Sequence, residues 1–88
     1  MTRVVNRHRE HFDVYIGRGT PFGNPFVIGV DGDRNEVFAK YEVYFDHKIK
    51  TDPVFREQVN RLKNQVLGCS CKPFACHGDI IVRYLDKE

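Results

Sequence analysis

The segment from Gly68 to Asp79, GCSCKPFACHGD, contains all three cysteines of the 88-residue chain and one of its four histidines. Thiolate and imidazole groups are the usual ligands of tetrahedral zinc. The segment therefore supplies a candidate zinc-binding set, which consists of Cys69, Cys71, Cys76 and His77. The spacing argues against zinc, because C-x-C followed by an adjacent Cys-His pair differs from the usual C-x₂-C knuckle, and adjacent ligands must splay apart to reach one ion.

The same residues can also act without a metal. A strand that turns tightly into a helix leaves unpaired backbone amides at the helix N-terminus, where an anion is favoured. A thiol at that position has a lowered pKa, so Cys76, His77 and Asp79 are candidate catalytic residues, with His77 as the base for the thiol. The plain structural alternative is that the cysteines are small buried apolar side chains, which suits Cys69 best.

A second polar motif, IGRGTPFGNPF, occupies residues 16–26. Arg18 lies between two glycines directly after a predicted strand, where the backbone can approach a ligand closely. Its planar guanidinium matches the geometry of phosphate or carboxylate. The dinucleotide-binding pattern G-x-G-x-x-G is not met. The structural alternative is an ordered loop whose glycines turn and whose phenylalanines pack.

The elements that must position these motifs alternate between extended and helical patterns. Strands are predicted around Val4-Val5, over 13–17 and over 65–71. Helices are predicted from Asp33, where Glu36 completes a capping box, from about Pro53, and from His77 onward. The order is β-β-loop-α-α-β-α, which indicates an α/β fold: a small single domain, residues 1–88, with three helices packed on a parallel or mixed sheet.

Both motifs follow predicted strands, so they are expected to share one edge of the sheet. Ligands of open α/β sheets bind at the carboxyl ends of the strands. We therefore expect one site formed by the IGRGTPFGNPF loop and the CKPFACHGD strand-turn-helix. Asn24 and His77 would orient the ligand, and the amides of Gly78 and Asp79 would hold its anionic group. The candidate ligand-binding residues are Arg18, Gly19, Asn24, Lys72 and Gly78.

Composition sets outer limits on function. The chain is 41% hydrophobic and carries a net charge of +2, which is typical of a folded protein and permits a phosphate-bearing partner without requiring one. No apolar run approaches the roughly 20 residues that span a bilayer, and no signal peptide is evident. These features predict a cytoplasmic protein without a membrane partner, as a monomer or homodimer.

The two motifs together resemble a known family. The stretches VVNRHREHFDVYIGRGTPFGNPF and VLGCSCKPFACHGDIIVRYL, in that order, are similar to small bacterial and phage proteins grouped as domain of unknown function 4326. The resemblance covers nearly the whole chain and implies a bacterial or phage origin, hence a host cytoplasm if phage-encoded. It implies no activity. At Ser70 the family pattern leads us to expect an aromatic residue instead.

Three functional hypotheses follow. The leading one is a module that binds a nucleotide-like or phosphorylated small molecule. The alternative is a zinc-stabilised interaction protein, whose basic N-terminus binds a host protein or nucleic acid. The third is a cysteine-dependent enzyme. The sequence does not decide whether the protein catalyses a reaction.

Overall fold

The structure is a computed structural model that describes residues 1–70, 72, 74 and 76–87. The order of its elements is the predicted one and confirms the α/β class. Cys71, a predicted zinc ligand, lies outside the described residues. The elements are β1 (Arg3–Asn6), β2 (Val14–Tyr15), α1 (Arg34–Thr51), α2 (Pro53–Asn60), β3 (Val66–Cys69) and α3 (His77–Leu85).

The three strands form a sheet in the order β1-β3-β2, and both pairings are parallel. Gly68 lies opposite Val5 on one side and Tyr15 on the other. Because all three strands run in the same direction, the segments that follow them leave from one edge of the sheet. We call this the carboxyl edge.

Strand β2 is shorter than the predicted strand over 13–17, with only two residues in the ladder. The chain nevertheless stays bonded to β3 on both sides of it. The Asp13 amide donates to the Val66 carbonyl at 2.8 Å, and the Ile16 amide donates to the Gly68 carbonyl at 3.0 Å. The Asp13 carboxylate accepts from the Val66 amide at 2.8 Å. A side chain thus replaces one ladder bond.

The long helix α1 begins at the predicted capping box. The Asp33 carboxylate accepts from the Glu36 amide, and the Glu36 carboxylate accepts from the Asp33 amide, each at 2.9 Å. One face of α1 is buried at a spacing of four residues, through Val37, Tyr41, Phe45 and Ile49. No helix among the described residues is long and apolar enough to cross a membrane.

The loop between β2 and α1 is fastened to α1 by a buried tyrosine. The Tyr41 hydroxyl is fully buried and donates to the Phe22 carbonyl at 2.9 Å. Burial holds the pKa of Tyr41 well above its ordinary value, so the hydroxyl remains a donor. At the start of the loop, Gly17 lies beneath the Tyr15 ring, and a Cβ there would collide with that ring.

We expect Tyr41→Phe to lower the free energy of unfolding by about 1–2 kcal/mol, because it leaves the buried Phe22 carbonyl without its donor. Tyr44→Phe is the matched control. Tyr44 packs in the same aromatic group, but its hydroxyl makes no hydrogen bond to the described part of the chain. Urea unfolding of the two variants measures the difference, and equal losses would contradict this role for Tyr41.

Candidate functional site

A cleft of about 220 Å³ opens at the carboxyl edge, between the loop that follows β2 and the first turns of α1 and α3. Residues from both sequence motifs line it, together with residues from α1. No carboxylate is found among the described residues that line this cleft. The polar and aromatic side chains on its walls are Tyr15, Arg18, Asn24, Phe26, Arg34, Phe38, Ser70 and His77.

Arg18 stabilises the loop through hydrogen bonds and contributes a positive charge to the cleft. Its two terminal nitrogens donate to the carbonyls of Asn24, at 3.1 Å, and Phe26, at 3.2 Å. The Asn24 side-chain oxygen accepts from the Phe26 amide at 2.9 Å, which closes a local turn. A guanidinium has five N–H donors, so these two bonds leave donors for a ligand. The structure therefore brings Arg18 and Asn24, two of the predicted site residues, together.

His77 is the first residue of α3 and joins the two motifs. Its Nε2 lies 2.6 Å from the Ile16 carbonyl. A carbonyl only accepts, so Nε2 carries the proton, and in the neutral ring Nδ1 has the lone pair. That Nδ1 lies 3.6 Å from the Cys76 sulfur. The edge-to-face contact with Tyr41, with ring centroids 5.2 Å apart, fixes the ring plane.

The environment favours the neutral form of His77. Burial lowers the pKa of His77, and the positive charge of Arg18 lowers it further, against opposing effects of the Ile16 hydrogen bond and Asp79. The charge of Arg18 is thus close enough to the imidazole to affect its titration. The two halves of the predicted site are electrostatically coupled.

Cys76 serves as the N-cap of α3. Its sulfur accepts from the Gly78 amide at 3.3 Å. The Asp79 carboxylate accepts in turn from the Cys76 amide at 3.1 Å, which completes a capping box. The sulfurs of Cys76 and Cys69 lie 2.9 Å apart, and neither residue is more than 1% exposed. A nucleophile needs access to its substrate, so this burial gives no support to Cys76 as a catalytic thiol.

Four predicted site residues have other roles or positions. The Lys72 ammonium pairs with the Asp79 carboxylate at 2.6 Å. The Gly78 amide is taken by the Cys76 sulfur, and the Asp79 amide donates to the Cys76 carbonyl at 2.8 Å. Gly19 is exposed, with a positive φ of 89°, and lies outside this cleft. The positive charge of the cleft therefore comes from arginines rather than from the amides of α3.

Sequence reasoning missed Arg34, which lines the cleft from the first position of α1. The capping box at Asp33 and Glu36 predicts only the start of a helix. The position of Arg34 could have been predicted from the sequence. The first residue of a helix that follows a long loop lies next to that loop and therefore borders any cleft that the loop forms. Ser70, noted as a departure from the family pattern, also lines the cleft.

The zinc set is only partly described. Cys71 lies outside the described residues, and within the described ranges no group of three potential ligands is placed to hold an ion. The Cys76 sulfur is in contact with the Cys69 sulfur and, separately, with His77 Nδ1.

Comparison with known proteins identifies the family. The profile described as "Domain of unknown function (DUF4326)" matches residues 2–87. The chain belongs to this family. A relative from Enterobacteria phage T4, named "Uncharacterized 12.4 kDa protein in nrdA-td intergenic region", is 38% identical over 88 residues, covering 99% of this chain and 80% of the relative. No solved structure matches the chain significantly. The resemblance predicted from the two motifs is confirmed.

We expect the imidazole of His77 to titrate below its ordinary pKa of 6.5, mainly because it is buried. Arg18→Met should raise this pKa by removing a nearby positive charge, whereas Arg18→Lys should change it less. His77 binds a proton more readily in the unfolded chain than in the folded protein. The free energy of unfolding should therefore fall as the pH drops below about 6.5. NMR titration of the His77 ring gives the pKa, and an unchanged value in Arg18→Met would disprove the coupling.

Proposed function

We propose that this protein binds a small phosphorylated or nucleotide-like ligand in the cleft at the carboxyl edge. One observation carries the proposal: Arg18 and Arg34 line the same cleft, and no acidic side chain among its described lining residues offsets them. A guanidinium presents a planar pair of donors that fits phosphate oxygens. Two such groups at one cleft favour an anion with several oxygens.

The position of Arg34 supports this interpretation. A positive charge at the N-terminus of a helix opposes the helix dipole and costs about 0.3–1 kcal/mol. Arg34 is exposed at the first position of α1 and makes no salt bridge within the described part of the chain. Its guanidinium lies over the Phe74 ring, 4.8 Å from the centroid. Arg34 therefore does not stabilise α1 through its charge, but it contributes a positive charge to the cleft.

The remaining walls suit a flat ring. Tyr15, Phe26 and Phe38 contribute aromatic surface to the cleft. Aromatic faces stack on nucleobases, while the Asn24 amide and the Ser70 hydroxyl offer hydrogen bonds at their edges. The location also fits, because ligands of parallel sheets bind beyond the carboxyl ends of the strands.

We expect Arg34→Ala to weaken binding of a nucleoside monophosphate by about tenfold or more, since a hydrogen bond to a charged group is worth about 1.5–3 kcal/mol. Isothermal titration with the four monophosphates, and with inorganic phosphate, measures this. The fold itself should be unharmed, because Arg34→Ala removes an unfavourable charge from the N-terminus of α1. Thermal unfolding of the unliganded variant checks that point.

Arg61→Ala is the matched control for the loss of one positive charge. Arg61 is exposed at the end of α2 and pairs with Glu57 at 2.8 Å, outside the cleft. The proposal fails if none of these ligands binds, or if Arg61→Ala weakens binding as much as Arg34→Ala.

A structural zinc within an interaction protein is the second candidate, and the orientation of His77 favours it. Histidines that bind zinc through one ring nitrogen commonly donate the other N–H to a carbonyl or carboxylate. His77 donates Nε2–H to Ile16 and directs Nδ1 toward the Cys76 sulfur. In this case Cys69, Cys71, Cys76 and His77 would hold the ion, and the basic N-terminal segment would meet a host protein or nucleic acid.

Metal analysis separates this candidate from the first. Protein purified without a metal-binding tag should carry one zinc ion per chain, and Cys69→Ser should lower that content. A chelator should also lower the melting temperature, because the free energy of binding structural zinc contributes to folding. Folded protein with no zinc removes the candidate and leaves the cleft proposal intact.

A further inference from the structure

We infer that the ligand of the cleft is one unit of a single-stranded nucleic acid, whose neighbouring phosphates contact a row of three arginines along the carboxyl edge. We call Arg7, Arg18 and Arg34 the arginine rim. The inference rests on the proposed function and specifies the class of its ligand. It depends on three features: the stacks that border the cleft, the charges around it and its size.

The first feature is a pair of arginine–aromatic stacks that border the cleft. The Arg7 guanidinium lies over the Tyr15 ring, and the Arg34 guanidinium lies over the Phe74 ring, each 4.8 Å from the centroid. Tyr15 and Arg34 line the cleft, whereas Arg7 and Phe74 lie outside its lining. Each stack therefore extends the charged and aromatic surface outward from the cleft.

Such stacks suit a strand of unpaired bases. Single-stranded nucleic acids are bound by positive surfaces that follow the backbone and by planar groups on which successive bases stack. Guanidinium planes serve for stacking as aromatic rings do. The Phe74 ring is 60% exposed, so part of its surface is accessible to a base.

The second feature is the charge balance at this edge. The chain as a whole carries a net charge of only +2. The Asp33 and Glu36 carboxylates, which flank Arg34, accept from backbone amides of the capping box, and two other acids are in salt bridges. Glu10, in the segment after β1, lies 3.6 Å from Arg3, and Asp79, in the first turn of α3, pairs with Lys72. No salt bridge within the described residues involves any member of the arginine rim. A ligand phosphate would therefore not have to displace an ion-pair partner from these guanidinium groups.

The third feature is the size of the cleft. Its volume of about 220 Å³ falls below the roughly 300–1,000 Å³ typical of pockets that enclose a whole small molecule. The cleft can enclose part of a nucleotide, and the remainder must lie over the rim. A polymer places its next phosphates there without further cost in translational freedom.

The test compares thymidine 5′-monophosphate with a fluorescent ten-residue oligothymidylate, and with oligouridylate to separate DNA from RNA. We expect the oligonucleotide to bind at least tenfold more tightly than the mononucleotide. Three phosphate contacts predict a slope of about −2 for log K against log salt concentration, since single strands give about −0.7 per contact.

Arg7→Ala is the decisive variant, because Arg7 lies outside the cleft. It should leave binding of the mononucleotide unchanged, weaken binding of the oligonucleotide several-fold, and reduce the magnitude of the salt slope by about 0.7. Phe74→Ala should weaken binding of the oligonucleotide by a similar factor, because a stacking contact is lost. Arg61→Ala, which removes the same charge from α2, should change neither affinity.

The outcomes separate this inference from the proposed function. Equal affinities for mononucleotide and oligonucleotide, with no effect of Arg7→Ala, overturn the inference and leave the proposed ligand class standing. Binding of neither overturns both. Equal or tighter binding of a duplex of the same length, or of polyglutamate, also overturns the inference, because general positive charge would then explain the result.

Discussion

The hydrogen bond from the His77 imidazole to the Ile16 carbonyl connects the parts of this structure that surround the cleft. Ile16 directly follows β2 and is fully buried, and its amide is bonded to Gly68 in the central strand. His77 begins α3. One residue is therefore held at both its amide and its carbonyl, so the start of the loop, the centre of the sheet and the start of α3 keep fixed relative positions. The cleft lies between these elements.

The same arrangement explains why the cysteine segment divides into two roles. Cys69 ends the central strand inside the core, while Cys76 caps α3 through its sulfur. The capping interaction uses the Gly78 amide that would otherwise be available to an anion. The positive charge at the cleft is therefore that of arginines from the loop and from α1.

Much of the fold followed from local sequence signals. The Asp33–Glu36 capping box set the start of α1, and the apolar residues of the 66–69 stretch marked the central strand. The shared edge followed from the parallel topology. The sequence did not predict that the Gly78 and Asp79 amides already donate to Cys76, because a cysteine side chain that caps a helix has no distinctive sequence pattern. Arg34 was missed for a different reason: its role depends on where the preceding loop folds back, which is a tertiary property.

The shortness of β2 has a consequence for how the site is assembled. An edge strand with two ladder residues is held by few main-chain bonds. Beyond the anchored Ile16, the wall of the cleft formed by residues 17–26 should therefore open locally, once the Tyr41–Phe22 hydrogen bond breaks, at a lower free energy than the sheet. A polyanion that contacts both Arg18 and Arg34 would tie this wall to α1 and would bind only the closed form. Part of its binding free energy would then be spent on closing the wall, and occupancy of the cleft would be linked to the local folding of its own loop.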